Sequence, residues 1–243
     1  MKIFPVWFII GTAFFISSAG AEKPHYTIFR TTGEITIDGV LDETDWKAAP
    51  AFSPFVFPWW TEGEKEQTEV KMLWDDTVLY LSYRCSDRHI WADHYDTNSQ
   101  TFKDDCVELF WNPNPAAGLA YNMFEINCLG NLLSVCNNRK ISIYENIILP
   151  PHIGQTIQGT VNDDSDTDTG WILEIAIRFS DYTELSNGAT PKDGDMWEIG
   201  LNRCGGRTNP QSSQWSPSQT EKSNFHRPED FGQIFFSMKK VRK

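Results

Sequence analysis

The chain has 243 residues, 40% of them hydrophobic, and its 33 acidic residues outnumber its 21 basic residues, for a formal net charge of −12. A surface this acidic repels phosphate backbones, so nucleic acid is excluded as an expected partner, whereas neutral and cationic ligands are not. The hydrophobic content is sufficient for a core, and the length fits one large all-β domain as well as two small ones.

The N-terminus has the features of a secretory signal peptide. Lys2 precedes an apolar run at residues 3–16, and small residues ending in the Ala-Gly-Ala of residues 19–21 follow it. The run is shorter than the ~20 residues that a membrane-spanning helix needs, and the Ala-x-Ala ending favours cleavage after Ala21. We therefore predict a signal peptide at residues 1–21, no membrane span in the mature chain, and a periplasmic or extracellular protein.

Short strand-like segments make up the rest of the chain. Runs of four to eight residues rich in Val, Ile, Leu, Trp and Tyr recur between turn residues, without long helical periodicity. The predicted strands are Glu34–Asp38, Val70–Trp74, Val78–Cys85, Cys106–Trp111, Tyr121–Asn127, Leu132–Asn137, Ile157–Asn162, Trp171–Ile177, Trp197–Arg203 and Gln233–Ser237. Short helices are predicted at Glu43–Ala48, with Asp42 as N-cap, and at Ser180–Leu185. This pattern predicts an all-β fold, an antiparallel, jelly-roll-like β-sandwich with a few short helical turns, in one domain at residues 22–243.

Strand alternation divides the side chains into two sets, because neighbours in a strand point to opposite faces of the sheet. The first set shares its parity with aliphatic residues and is predicted to be core: Trp74, Trp111, Trp171 and Trp197. The opposite parity carries Glu108, Phe110, Glu125, Asn127, Glu174, Glu198 and Asn202. Such a face is typical either of a solvated sheet surface or of the floor of a binding groove.

Further tryptophans lie in loop-like stretches, at Trp59, Trp60, Trp91 and Trp215. Large aromatic side chains outside strands either mark a ligand surface or close the ends of a sandwich. A polar sheet face bordered by aromatic loops suits a sugar, because C–H faces of the sugar stack on rings while its hydroxyls need paired donors and acceptors.

The five cysteines are Cys85, Cys106, Cys128, Cys136 and Cys204. We interpret them as buried thiols, since several lie in strand-like runs where a free cysteine behaves as a small apolar residue. Cys128 and Cys136 flank a predicted hairpin, and an oxidising compartment would allow them to pair. No C-x-x-C motif occurs, so neither zinc nor thioredoxin-type chemistry is indicated.

The segment ITIDGVLDETDWKAAPAFSPF, Ile35–Phe55, resembles the opening of the family 9 carbohydrate-binding modules: a strand, an Asp-Gly turn, Leu-Asp-Glu, and a Trp in a short helix. The later segments TEVKMLWDDTVLYLSY, DDCVELFW, YNMFEINCLGN, NDDSDTDTGWILEIAI, GDMWEIGLNRC and QWSPSQTEKSNFHRPEDFGQIFF follow the order of that family to about Phe236. The resemblance, which is to exported members, implies a non-catalytic β-sandwich. It would hold a sugar, typically at a glucan or xylan chain end, between two aromatic rings above a polar sheet face.

Carried over residue by residue, the resemblance places the two clamp rings at Phe102 and Phe225. It places the sugar-contacting glutamate at Glu108 and a further polar contact at Asn202. Described members have tryptophans in the clamp and an arginine where this chain has Glu125, so the hydroxyl-binding pattern must differ here.

Four more residues complete the predicted carbohydrate site. Strand parity adds Asn127 as a reader of sugar hydroxyls. Trp91 and Trp215 are candidates for replacement rings, and His226 is a candidate donor; for each of these three, loop packing is the alternative interpretation.

Other kinds of chemistry have weaker support. A glycosidase needs two carboxylates roughly 5–10 Å apart across a cleft, and Asp104, Asp105, Glu108 and Glu125 are available, but an acidic chain supplies such pairs by chance. A b-type haem site would draw on His226, His89, His94, Met72 and Met123, which show no recognisable ligand spacing. We also keep open a cell-envelope structural or interaction module whose sugar site has been lost.

Calcium often stabilises the loops of the family that the chain resembles. The acidic run Asp163–Asp168 and the group Asp38, Asp42 and Asp45 could supply carboxylate and backbone oxygens, although neither fits an EF-hand loop. We expect structural calcium as an option and no required cofactor. The expected function is non-catalytic binding of a plant-type oligosaccharide or polysaccharide by a monomer, in support of polysaccharide use by separate enzymes.

Overall fold

The computed structural model describes residues 22–52, 54–138, 143–146, 150–182 and 190–242. The predicted signal peptide at residues 1–21 lies outside the described residues, as does the second half of the predicted helix Ser180–Leu185. Among the helices in the described part of the chain, none is long and apolar enough to cross a membrane.

The described residues form twelve strands, one short α-helix and four short 3₁₀ turns. The strands are β1 His25–Arg30, β2 Thr68–Trp74, β3 Val78–Ser86, β4 Cys106–Asn112, β5 Tyr121–Asn127, β6 Leu132–Asn138, β7 Ile143–Asn146, β8 His152–Gln158, β9 Gly170–Arg178, β10 Met196–Cys204, β11 Ser212–Gln214 and β12 Gly232–Lys240. The α-helix, α1, spans Thr44–Ala48, and the 3₁₀ turns are Thr101–Lys103, Pro115–Ala117, Phe179–Asp181 and Pro228–Asp230.

The strands form a continuous curled sheet in the order β7-β6-β5-β4-β10-β12-β1-β2-β3-β9-β8, with β11 paired to β10. β1 runs parallel to both β12 and β2, and the other pairings are antiparallel. The N-terminal strand thus joins the two halves of the sheet. The predicted all-β sandwich with a few short helical turns is confirmed.

The core lies between the two halves of the curled sheet, and the predicted core tryptophans are all found in it. Trp74, Trp111, Trp171 and Trp197 share one cluster of buried side chains with the aliphatic residues of β2, β3, β9, β4 and β10. Their neighbours along each strand point to the opposite face of the sheet, as the period of two of a β-strand requires.

Trp215 belongs to this core as well, which contradicts its prediction as a ligand-facing ring. Its side chain is 4% exposed, and its ring meets the edge of Phe52 at a centroid distance of 4.7 Å. Trp215 directly follows β11, so strand alternation places it opposite Gln214. The three residues of β11 are too few to show an alternating pattern, which is why the sequence suggests a loop at this tryptophan.

Two other segments differ from their prediction because tertiary contacts override local pattern. Residues Glu34–Asp38 are not a strand: the backbone N–H of Asp38 and of Gly39 donate to Oε2 of Glu174 instead. β8 ends at Gln158, earlier than predicted, because it pairs with β9 from Ala176 back to Gly170. The backbones of Gly39 and Gly154 approach so closely that a side chain at either position would clash.

In the described part of the chain, the five cysteines form no disulfide bond. In the β5–β6 ladder, Cys136 lies opposite Asn122, near the start of β5. Cys128 instead follows the end of β5, so the two cysteines are at opposite ends of that strand. The Cys128–Cys136 pairing that an oxidising compartment would have allowed is therefore wrong.

A buried cluster of charges lies at one end of the core. Nη2 of the fully buried Arg203 is 2.8 Å from Oδ2 of Asp87 and 3.8 Å from Oε2 of Glu66. Arg203 Nη1 also donates to the carbonyl of Ser86 at 2.6 Å, and Trp171 Nε1 donates to Asp87 at 2.9 Å. Both carboxylates thus depend on one guanidinium for their compensating charge.

Candidate functional site

A row of polar side chains crosses four neighbouring strands on the face of β4 that points away from the core. Glu125 of β5 pairs with Glu108 of β4, Glu108 pairs with Asn202 of β10, and Asn202 pairs with Gln214 of β11. Each of the four side chains is 4% exposed or less. We call these residues, Glu125, Glu108, Asn202 and Gln214, the polar row.

The polar row contains a buried acceptor and a buried donor that have no partner. Asn202 Nδ2 donates to Glu108 Oε2 at 3.3 Å, and the thiol of Cys204 lies 3.4 Å from Glu108 Oε1. In the described structure, Glu125 Oε2 and Gln214 Nε2 make no hydrogen bond. An unmet buried polar group costs roughly 1–3 kcal/mol, so this arrangement favours a bound partner with hydroxyl groups.

The two glutamates of the row titrate abnormally. Burial raises the pKa of Glu108 well above its ordinary value, although the hydrogen bonds from Cys204 and Asn202 oppose the shift. Burial raises the pKa of Glu125 too, and the neighbouring charge of Glu108 adds to that shift. No described Lys or Arg forms an ion pair with either side chain. The pair therefore retains a proton at neutral pH or takes a donor from a ligand.

An aromatic cluster covers the sheet next to the polar row, one pleat along from Glu108. Its buried members are Phe110, Tyr121, Met123, Val135, Phe225 and Phe231, with Trp59, Leu133 and Cys204 packed against them. Phe231 fits against the sheet because residue 200 is glycine: a Cβ there would lie 2.9 Å from the Phe231 ring. The predicted combination of a sheet carboxylate with nearby rings is thus present.

The two predicted clamp rings differ in accessibility. Phe102 is 41% exposed, in a 3₁₀ turn that Thr101 holds against β5 by donating its hydroxyl to the carbonyl of Glu125 at 2.9 Å. Phe225 is only 8% exposed, and its ring centroid lies 5.6 Å from that of Trp59. Trp59 is the more open ring of this pair, and its Nε1 is anchored on the carbonyl of Thr220 at 2.8 Å.

Asn127 does not belong to the site, although its strand parity suggested it. Its Nδ2 donates to the carbonyl of His94 and to Asp104 Oδ2, and its Oδ1 accepts from the backbone N–H of Leu129 and Asn131. The amide is fully used in holding the turn between β5 and β6. Asn127 therefore has nothing left to offer a ligand.

His226 and Trp91 lie in different surroundings. The His226 ring stacks on Phe110 with a centroid distance of 5.1 Å, and its Nδ1 shares a 2.8 Å hydrogen bond with the Tyr121 hydroxyl. His226 therefore packs on the aromatic cluster. Trp91 donates from Nε1 to Asp93 at 2.9 Å, and the Arg207 guanidinium lies 4.4 Å from its ring. These contacts support the loop-packing interpretation of Trp91.

Sequence reasoning missed two members of this site. Gln214 lies on a three-residue strand without a usable pattern, and Trp59 was noted as a loop tryptophan but not assigned to the site. The one available signal for Gln214 was its position directly before a tryptophan in a Ser-Ser-Gln-Trp stretch.

The residues considered for haem do not form a common site. Met72 lies in the core between the two halves of the sheet, whereas Met123 lies in the aromatic cluster on the outer face. His94 Nδ1 is 2.9 Å from Asp104 Oδ1. Met72 is thus separated by the sheet from Met123 and His226, which both lie at the aromatic cluster.

The acidic residues considered for calcium are largely used by the protein itself. Asp168 accepts from the backbone N–H of Ile90 and Thr160, and Asp45 accepts from the N–H of Thr32 and Gly33. In the described ranges, no group of three or more His, Cys, Asp or Glu side chains is arranged to hold a metal ion. Structural calcium as an option, with no required cofactor, stays a prediction.

Chelation tests the calcium question directly. Because backbone N–H groups already hydrogen-bond to the carboxylates of Asp45 and Asp168, we expect excess EDTA to leave the thermal unfolding midpoint unchanged. Differential scanning fluorimetry with EDTA, and with calcium restored, measures this. A lower midpoint in EDTA that calcium restores would contradict the expectation.

Solved structures of sugar-binding proteins share this fold. A putative carbohydrate-binding protein from Bacteroides uniformis ATCC 8492 superposes with a TM-score of 0.76 at 20% identity, covering 89% of this chain and 100% of that one. A family 9 carbohydrate-binding module from Caldicellulosiruptor kristjanssonii in complex with glucose gives 0.63 at 15% identity, over 90% and 99% of the two chains. A module of the same family and organism in complex with cellotriose gives 0.62 at 16%, over 88% and 95%.

No curated protein matches this sequence. The family comparison is positive: the model of carbohydrate-binding family 9 matches residues 31–236, a range that includes the polar row, the aromatic cluster and both halves of the sheet. The resemblance first seen in the Asp-Gly turn and the ordered strand motifs is therefore confirmed. The chain belongs to carbohydrate-binding family 9, a family of non-catalytic binding modules.

Proposed function

We propose that this protein binds a glucan-type or xylan-type oligosaccharide at the polar row and does not cleave it. The observation that carries the proposal is the unmet acceptor of Glu125 and the unmet donor of Gln214 at the two ends of one buried row. A sugar hydroxyl both donates and accepts, and because the row crosses four strands spaced about 4.8 Å apart, hydroxyls of successive rings of one oligosaccharide could satisfy both ends. Glu108 and Asn202, between them, would bind the hydroxyls in the middle.

Rings on either side of the row would hold the apolar faces of the sugar. Phe102 lies at the Glu125 end and is open to solvent. Phe225 belongs to the aromatic cluster, and Trp59 packs against that cluster. Placed polar groups among apolar walls are the usual composition of a small-molecule site. The relatives in complex with glucose and cellotriose support the choice of glucan fragments as first probes. We further propose that the mature protein is an exported monomer that serves separate polysaccharide-degrading enzymes.

Isothermal titration with cellotriose and xylotriose tests this site. We expect Phe102→Ala to weaken binding by roughly tenfold, since about 1.4 kcal/mol of ring stacking corresponds to a factor of ten. Glu108→Gln should weaken binding by about tenfold to a hundredfold, because hydrogen bonds to charged groups contribute about 1.5–3 kcal/mol.

Leu119→Ala is the matched control, because Leu119 is also 41% exposed but lies beyond the other end of β4. This variant should bind like the parent. If Phe102→Ala and Glu108→Gln fold normally by circular dichroism and still bind with parental affinity, the proposed site is wrong.

The rival function is an interaction module without a sugar site. The low exposure of the polar row, at 4% or less for each member, is the observation that favours it. Absence of binding to any oligosaccharide in a broad glycan panel would replace the carbohydrate proposal with this one.

A further inference from the structure

The polar row has two carboxyl groups side by side and no cation to compensate them. Glu125 and Glu108 are directly opposite each other on adjacent antiparallel strands, where Cβ atoms are roughly 5 Å apart. The side chains that hydrogen-bond to Glu108 are the neutral Asn202 and Cys204. Within the described structure, Glu125 has an unpartnered buried oxygen and no such support.

Two cations on or beside β10 are already engaged. On the same strand as Asn202, the guanidinium of Arg203 points into the core and pairs with Asp87 and Glu66. Lys23 approaches the outer face of β10 but pairs with Glu198 at 2.7 Å. Since no described Lys or Arg forms an ion pair with the glutamate pair, a ligand could supply the positive charge there, and the net charge of −12 favours the approach of cations.

We propose that the sugar bound at the polar row is an amino sugar whose protonated amine lies against Glu125 and Glu108. This inference rests on the proposed function and narrows its ligand class. An ammonium group has three donors and no acceptor, so it can donate to the unpaired Glu125 oxygen and to Glu108 at the same time. Gln214, at the far end, keeps its free donor for a ring oxygen or hydroxyl of the same saccharide.

A ligand of this kind would reach the buried pair past side chains that are only partly buried. Leu133, opposite Glu125 on β6, and Cys204, beside Glu108, are only partly buried, as is Trp59. Trp59 also presents a ring, and aromatic faces attract cations as well as the C–H faces of sugars. Both parts of an amino sugar thus find complementary groups next to each other.

Three trisaccharides with the same β-1,4-linked glucopyranose backbone test the proposal. They differ at carbon 2: cellotriose has a hydroxyl, the glucosamine trimer an ammonium and the N-acetylglucosamine trimer a neutral amide. Isothermal titration at about pH 6, where a primary amine is protonated, should show the glucosamine trimer binding at least tenfold tighter than cellotriose. In Glu125→Gln this preference should fall below about threefold, so that the binding free energies of the two trimers differ by roughly 1 kcal/mol or less.

Glu198→Gln is the control, because it removes the same charge from the outer face of β10, at a carboxylate that already pairs with Lys23. This variant should keep the preference for the glucosamine trimer over cellotriose. Glu125→Asp, which retains the charge on a shorter side chain, should keep part of it. Equal or weaker binding of the glucosamine trimer, with cellotriose still bound, overturns the amino-sugar inference alone. A preference that survives in Glu125→Gln overturns the assignment to this pair. Failure of all three sugars and of xylotriose to bind overturns the proposed function itself.

Discussion

Replacing Arg203 with alanine is expected to lower the free energy of unfolding by about 3–5 kcal/mol, the range for removing one partner of a buried ion pair. The guanidinium is fully buried and contacts Asp87, Glu66 and the carbonyl of Ser86. Without it, two buried carboxylates lose their compensating charge and must be protonated or hydrated. Urea denaturation followed by tryptophan fluorescence measures the change.

Arg84→Ala provides the control for this experiment. Arg84 lies on β3 and is exposed, so its loss should change the free energy of unfolding by no more than about 0.5 kcal/mol. A loss below about 1 kcal/mol for Arg203→Ala would show that the buried carboxylates do not depend on this guanidinium.

The Glu125→Gln variant is expected to be more stable than the parent at alkaline pH and similar to it at about pH 4. Burial raises the pKa of Glu125 and Glu108 in the folded state. The folded protein therefore keeps protons that the unfolded chain releases once the pH exceeds the ordinary carboxyl pKa. Stability from this pair is complete below that value and is lost as the pH rises through the raised folded pKa values. A folded-state pKa that is higher by one than the unfolded-state pKa corresponds to about 1.4 kcal/mol.

At about pH 8 we therefore expect Glu125→Gln to exceed the parent by about 2 kcal/mol, since its amide can donate to the Glu108 carboxylate. The described titratable groups that interact with the pair include the Tyr83 hydroxyl and the thiols of Cys106 and Cys204; all are unchanged in the variant. Urea denaturation at several pH values gives the difference between the two proteins. Glu69→Gln, at an exposed position of β2, is the control and should show no such difference. If the stability of Glu125→Gln and of the parent changes with pH in parallel, the interpretation that the buried pair retains a proton is wrong.

The stability and binding predictions for Glu125 have one physical origin. A buried carboxyl pair without a protein cation destabilises the free protein at high pH, and the same pair favours a ligand that brings a cation. If the amino-sugar inference holds, ligand binding should stabilise the protein most where the free protein is weakest. Selective recognition at this site would thus be obtained at a cost in the stability of the unliganded state.

Much of the fold follows from local pattern. The period of two in β2, β4, β9 and β10 identified the core tryptophans and placed Glu108 and Asn202 on the opposite face. β5 was predicted with its observed bounds, Tyr121–Asn127. Strands with weaker alternation were less accurate: β8 was displaced toward the C-terminus, and β1 and β11 were not predicted, since their ladders are specified by partners far along the chain.

The site itself was only partly accessible to such reasoning. Parity assigned Asn127 to the same face as Glu125, but its hydrogen bonds to His94, Asp104, Leu129 and Asn131 occupy the whole amide. Parity shows which way a side chain points and not which partners it meets. The clamp prediction at Phe225 had the same limit, because its low exposure results from Trp59, a residue more than 160 positions away in the chain.

By itself, the sequence determined the all-β class, the core face of each strongly alternating strand and membership of carbohydrate-binding family 9, because these depend on local periodicity and ordered motifs. Only the tertiary structure decided that Gln214 completes the polar row, that Trp215 is a core residue, and that Glu125 stands beside Glu108 with an unmet oxygen. Hydrogen-bond satisfaction and burial depend on side chains brought together from distant parts of the chain, and no local pattern encodes them.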